Sequence, residues 1–220
     1  MGSNPTPSVT SIKGENIFRT TTLLGEGHIF GTNTFTDLTL TKSNTYYFEH
    51  EQTQTVLDHL TINGACTGLI ALQSDENAMQ ATLYKANGGV SGEYLLVRDI
   101  RAEGIQLPFI ANNSVDMGNN EGWDINSGTP LDLYWVGGTG CWSDSLHWSG
   151  ASGGNVGYCI PTPVDNVFFD QNSFITWQDS VILDLVNATC HNMNWTGAAG
   201  TPTLTGDDTL NLRIYGSLTL

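Results

Sequence analysis

The sequence predicts an all-β chain of right-handed parallel β-helix-like coils followed by a Trp/Gly-rich β module. Three observations carry this prediction. Short segments rich in β-branched and aromatic residues follow one another closely, each bounded by Gly, Asn, Ser or Asp. No stretch holds an apolar stripe at helical spacing over three turns, so long helices are not expected. Similar phrases recur: Leu38-Thr39-Leu40, Leu60-Thr61-Ile62 and Ala81-Thr82-Leu83 start at intervals of 22 and 21 residues. A three-faced parallel β-helix uses about 20–25 residues per coil, which stacks like residues on like faces. The next analogue, Leu95-Leu96-Val97, comes after only 14 residues. That break leaves a β-sandwich with antiparallel hairpins open as the alternative.

Taken in order, residues 1–16 read as a loose lead-in. The start Met1-Gly2-Ser3, with Pro5 and Pro7 close behind, has no apolar signal core and reads as a cloning-derived beginning from which a native signal peptide could have been trimmed. Residues 17–128 read as the coils, through NIFRTTTLL, NTFTDLTL, NTYYFEH, QTVLDHLTI, GLIALQS, ATLYKA and GEYLLVRDI. The polar run NNSVDMGNNEGWDINSG at 112–128 reads as a loop or the end of a first unit, with a seam near 126–133. Residues 129–220 read as the Trp/Gly-rich module. In it Gly137, Gly138 and Gly140 mark turns, and Pro161 and Pro163 set an extended approach to Val167-Phe168-Phe169. The strand-like ending LNLRIYGSLTL suggests that further coils follow in a longer parent chain.

Seven Lys plus Arg against 22 Asp plus Glu give a formal charge of -15, while charged residues are only 13% of the chain. Such a field repels phosphate backbones and anionic lipid, so nucleic acid is not expected as a partner. There is no apolar run long enough for a transmembrane segment. Acidity suits solubility, and it also suits a turn-bound structural Ca²⁺, which takes carboxylate and carbonyl oxygens. The phrase running from Asp165 to Asp170 supplies the candidate metal residues, Asp165 and Asp170, although no twelve-residue calcium-loop order is present. No other cofactor is expected.

Cys66, Cys141, Cys159 and Cys190 include no C-x-x-C pair, so a zinc knuckle or redox dithiol is not expected. Cys141 and Cys159 bracket a Gly- and Ser-rich loop, and they are the preferred disulfide. Cys66 and Cys190 sit in the similar phrases NGAC and NATC, as buried thiols or bridged to each other. Spacing alone does not decide connectivity.

There is no H-E-x-x-H and no phosphate loop, and the one G-x-S-x-G string, at 150–154, falls inside the Gly- and Ser-rich loop between Cys141 and Cys159. His50 and His59 flank a strand-like run with Glu49, Glu51 and Asp58 nearby, and read as solvated strand ends. His147 beside Trp148 reads as a lock for the tryptophan loop. A polysaccharide lyase would need an acidic cluster beside a basic residue; Asp37, Asp58 and Asp99 with Arg98 or Arg101 are the residues that could supply it. No catalytic residue is assigned. Exposed indoles could stack on pyranose rings; Trp123, Trp142, Trp148, Trp177 and Trp195 are candidates, with Trp142 and Trp148 the preferred glycan contacts. Trp135, in the apolar run YWV, is expected in the core.

The motif W-V-G-G-T-G-x-W-S-D at 135–144, H-W-S at 147–149 and D-N-V-F-F-D at 165–170 resembles modules of giant multi-repeat cell-surface proteins of Bacteroidetes. It covers roughly 134–220; the first 130 residues resemble, less specifically, the pectate-lyase-like β-helical stretches beside such modules. Cys141 departs from the pattern, standing where a variable polar residue would be expected, which supports its pairing with Cys159. The resemblance implies a protein exported by the type IX secretion route, with relatives acting in gliding motility or attachment. It implies a non-catalytic structural or adhesive module at the bacterial cell surface, with glycans or neighbouring modules of the same long chain as partners. The alternative is a carbohydrate-binding module of a secreted glycan-active protein.

Overall fold

The computed structural model describes residues 10–185 and 187–220. The opening Met1-Gly2-Ser3 with Pro5 and Pro7 lies outside the described residues. The chain divides into two units: one of residues 1–65 and 69–128, the other of residues 66–68 and 129–220.

In the first unit the chain passes from face to face and returns one coil further on. One sheet stacks β1 (Thr10–Ile12), β3 (Gly27–Ile29), β5 (Asn44–Phe48), β7 (Ile70–Ser74), β10 (Leu95–Arg98) and β13 (Val115–Asp116). A second stacks β2 (Ile17–Leu23), β4 (Thr34–Leu40), β6 (Thr53–Thr61), β8 (Ala81–Lys85) and β11 (Ile100–Gly104). A third holds β9 (Ser91–Glu93), β12 (Phe109–Asn112) and β14 (Trp123–Asn126). Every pairing in these sheets is parallel. Parallel stacking with alternation between sheets is the β-helix-like arrangement, and it sets aside the antiparallel sandwich. Alternation along each strand sends one set of side chains inward: Tyr46 and Phe48 on β5, Ala81 and Leu83 on β8, Leu95 and Val97 on β10 are all buried.

The recurrence in the sequence has a structural meaning. Leu38 pairs with Leu60 and Thr39 with Thr61. Leu83, by contrast, pairs with Gln54, so the phrase at 81–83 lies on the same face in a different register. The short step to Leu95-Leu96-Val97 is a change of face: that phrase pairs with β7, and the partner of Ala81 on the next coil is Ile100. Two expectations are corrected. Residues 10–12 of the expected lead-in form β1, paired with Gly27–Ile29. The polar run at 112–128 is not a plain loop, since it contains β13 and β14, whose Trp123 meets Phe109 edge-on at 5.3 Å; it is the end of the first unit, which closes at Gly128.

Polar and aromatic ladders run from coil to coil. Asn16 Nδ2 donates to Asn33 Oδ1 at 2.8 Å, and Asn33 Nδ2 donates to Gln54 Oε1 at 2.9 Å. Gln54 Nε2 closes the series on the carbonyl of Gly31 at 2.7 Å. Asn33 and Gln54 are fully buried, so this chain satisfies amides that would otherwise be costly inside a core. Phe18 stacks on Phe35 at 5.2 Å beside it.

In the second unit β15 (Asp132–Trp135), β18 (Asn166–Phe168), β21 (Met193–Asn194) and β24 (Leu218–Thr219) stack in parallel. β17 (Trp148–Ser149) joins that sheet antiparallel to β15. β16 (Gly140–Cys141), β19 (Ser180–Leu183) and β22 (Thr203–Gly206) form a second parallel sheet, and β20 (Asn187–Cys190) with β23 (Asn211–Ile214) a third. Its own ladder links Asn166 Nδ2 to Asp132 Oδ1 at 2.8 Å and Asn192 Nδ2 to Asn166 Oδ1 at 2.7 Å. The core is aromatic. Trp148 meets Trp135 and Trp142 edge-on at 5.1 and 5.0 Å, and Phe169 packs face to face with Trp195 at 4.0 Å. His147 stacks on Trp135 at 4.8 Å, with its Nδ1 2.9 Å from the Val136 carbonyl. A methyl group at Gly140 would lie about 2 Å from that imidazole, so the turn accepts only glycine there.

The disulfide differs from the expected one. Cys66 pairs with Cys159, their Cα atoms 4.7 Å apart. Cys66–Gly68 belongs with the second unit, and Ile160 N donates to the Cys66 carbonyl at 2.9 Å. Cys141 and Cys190 are free thiols. The physical reason is topological: the segment 66–68 joins the second unit and brings Cys66 to Cys159, while Cys141 sits on β16 opposite Ile182. Cys190 faces the core.

Candidate functional site

The residues expected to contact glycans are interior ones. Trp142 and Trp148 are fully buried. Trp148 Nε1 donates to the Trp142 carbonyl at 2.8 Å, and neither ring offers a face to a ligand. The binding role expected of them is therefore corrected. A short 3-10 turn at Ser145–His147, capped by Asp144, lies between the two buried indoles in the chain.

Asp165 is buried and its oxygens are occupied. Oδ1 accepts from Leu131 N at 2.8 Å; Oδ2 accepts from Thr162 N at 2.9 Å and Thr162 Oγ1 at 2.5 Å. Asp170 Oδ1 accepts from Asn172 N at 2.8 Å. Both carboxylates thus organise turns.

The group of metal-type donors brought together among the described residues is a different one: Asp37, Asp58 and His59, with one donor atom from each within 4.8 Å of the others. Asp37 on β4 pairs with His59 on β6. The register between these strands slips after Phe35, so β6 carries an extra residue there. This β-bulge turns consecutive residues Leu57, Asp58 and His59 all outward. The buried Lys85 ammonium pins it from inside by donating to the carbonyls of Asp58 and Asn87, and Asn87 Nδ2 donates to the Leu57 carbonyl at 3.0 Å. His59 Nδ1 lies 2.8 Å from Asp37 Oδ1 and 3.4 Å from Asp58 Oδ2, while Thr20 Oγ1 donates to Asp37 Oδ2 at 3.1 Å. The hydrogen bond from His59 is the main cause that holds the Asp37 carboxyl below its usual range. Mixed imidazole and carboxylate donors suit a borderline divalent ion better than Ca²⁺. The cluster extends a side-chain ladder across β2, β4 and β6.

The basic residues do not converge. Arg98 and Arg101 leave opposite sides of Asp99, whose φ of 57° turns the chain from one sheet to the next. Arg98 Nε stands 3.5 Å from the buried Asp99 Oδ2. Arg101 lies in an open groove with Glu51, Gln80, Thr82 and Asn119. Its Nε donates to Gln80 Oε1 at 3.2 Å, and its guanidinium pairs with Glu121 at 2.9 Å. Asp99 is buried and accepts from Asn119 Nδ2 at 2.7 Å, apart from the Asp37 cluster. His50 is paired with Asp75, its Nδ1 3.1 Å from Oδ1, and this contact raises its pKa. Burial pushes the Cys190 thiol up to about 12 and also raises Cys141, so neither is a thiolate nucleophile at neutral pH.

Comparison with protein-family models, with curated proteins and with solved structures found no match. The fold and these sites together define an all-β module of parallel coils with side-chain ladders running between neighbouring coils. No helix among the described residues is long and apolar enough to cross a membrane.

Proposed function

We propose that this chain is a non-catalytic structural and adhesive module of a large protein at the bacterial cell surface. The observation that carries the reading is the side-chain ladders. Asn16–Asn33–Gln54, Thr20–Asp37–His59 and Asp132–Asn166–Asn192 each bind one coil to the next. Residue types that serve catalysis elsewhere serve cohesion here. Stacked coils bury their apolar faces against their neighbours, which suits a stiff spacer that holds adhesive surfaces away from a cell. The Cys66–Cys159 disulfide supports an exported location, since structural disulfides persist in oxidising surroundings. The motif resemblance at 135–144, 147–149 and 165–170 supports the same reading.

A turnover screen tests it. The purified chain is incubated with pectate, alginate and neutral β-glucans, with and without Ca²⁺, and reducing ends and unsaturated products are followed. The expected result is no release above buffer. Release that disappears in Arg101→Ala or Asp37→Asn would overturn the non-catalytic reading.

A further inference from the structure

We propose that the loop carrying Ile175 and Trp177 is a docking point for a neutral saccharide, the indole of Trp177 stacking on a pyranose ring. The inference rests on the adhesive reading above and names a contact for it. Trp177 is 70% exposed and Ile175 75% exposed. Among the tryptophans Trp135, Trp142 and Trp148 are fully buried, and Trp123 and Trp195 are half-buried against the cores.

An exposed indole is ordinarily a cost, yet this loop is held rigidly in the position that exposes it. Asp179, itself only 6% exposed, anchors it. Its Oδ2 accepts from Ile175 N at 2.8 Å and Thr176 N at 2.7 Å; its Oδ1 accepts from Thr176 Oγ1 at 2.7 Å and Thr139 Oγ1 at 2.9 Å. These bonds, the backbone N–H of Thr176 first among them, keep the carboxyl ionised well below the usual range. At the other end of the loop Asp170 N donates to Ser173 Oγ at 2.9 Å, and Ser173 is fully buried. Between them Phe174 stacks parallel to Trp195 at 6.0 Å. Gln178 N donates to the Gly200 carbonyl at 2.8 Å, joining the loop to the turn at Gly200–Thr201. Ile175 and Trp177 therefore stand outward on a fixed base, and binding there would sacrifice little further entropy.

Charge selects the partner. In a chain of formal charge -15, residues 171–178 and 195–206 contain no Asp, Glu, Lys or Arg. The rim around Trp177 offers amides and hydroxyls, Gln178 and Thr201 among them, both exposed. An indole face with a neutral hydrogen-bonding rim matches the C–H face and hydroxyls of an uncharged sugar. A uronate would find no cation there and would meet the acidic field of the chain. One aromatic contact gives weak binding, with a Kd of about a millimolar. Repeated modules would multiply it through avidity.

The test is affinity electrophoresis in native gels containing, one at a time, xyloglucan, mixed-linkage β-glucan, galactomannan, starch or polygalacturonate. Wild type, Trp177→Ala and Ile105→Ser are run side by side, the last altering an exposed apolar residue of the first unit. Thermal unfolding verifies that all three fold alike, which the exposure of both positions predicts. The expected result is retardation by at least one neutral polymer and none by polygalacturonate, weakened at least tenfold in Trp177→Ala and unchanged in Ile105→Ser. Absence of retardation by every neutral polymer, or retardation equal in wild type and Trp177→Ala, overturns the proposal. So does a Trp177→Ala variant that loses only self-association in sedimentation, which would make the loop a contact between copies. Failure here leaves the structural-module reading intact, because that reading is decided by turnover.

Discussion

Replacing Cys66 by alanine is expected to lower the melting temperature by roughly 10–15 °C. The bridge to Cys159 spans a sequence separation of 93 residues. Cross-linking so long a loop removes chain entropy from the unfolded state worth about 4–5 kcal/mol. Cys159→Ala should match Cys66→Ala, and the double variant should cost no more than either single one, because each breaks the same bond. Cys141→Ala should shift melting far less, its thiol being unpaired. Reductant should bring wild type down to the level of Cys66→Ala and leave that variant where it is. Melting of wild type that is indifferent to reductant would contradict the assignment.

Trp148→Ala is expected to destabilise the second unit by about 4 kcal/mol, within the range for removing a buried aromatic residue. Trp148 touches Trp135, Trp142 and Phe169 through edge contacts and donates its Nε1 hydrogen to the Trp142 carbonyl. A second comparison separates packing from hydrogen bonding. Trp142 Nε1 is buried and finds no acceptor among the described residues. Trp142→Phe therefore removes an unsatisfied donor as well as contact area, whereas Trp148→Phe strands a carbonyl. Chemical unfolding should show Trp148→Phe costing more than Trp142→Phe. The reverse order, or a Trp148→Ala protein as stable as wild type, would mean that these indoles are not the core.

Much of the architecture was legible because β-helical stacking writes itself into spacing. The first strand-like segments read from the sequence fall on β2, β4, β5, β6, β7 and β8. The step from Leu38 to Leu60 is a true coil repeat. Coils of unequal length hid the rest. Asn16 to Asn33 is 17 residues and Asn33 to Gln54 is 21, so no single period survives. The Asp37–His59 pair could have been found by carrying the offset of Leu38 and Leu60 back by one residue, since the two pairs share a separation of 22. The bulge that adds Asp58 to them leaves no mark in composition. The disulfide was misread because proximity in sequence was taken as proximity in space; the excursion at 66–68 that meets Cys159 is a topological fact without a local signal. Trp142 and Trp148 look like Trp177 in composition, being flanked by polar or small residues. The tertiary packing, with Trp142 and Trp148 in the aromatic core and the Trp177 loop anchored by Asp179, decides which rings face inward.

The proposal of an exported, disulfide-stapled structural module is tested most directly by differential thiol labelling of the chain from its native cells. Free thiols are alkylated at the moment of lysis in denaturant, disulfides are then reduced and labelled with a second reagent, and the four cysteine peptides are read by mass spectrometry. The account predicts the first label on Cys141 and Cys190 and the second on Cys66 and Cys159. The first label on all four would place the chain in a reducing compartment and contradict it.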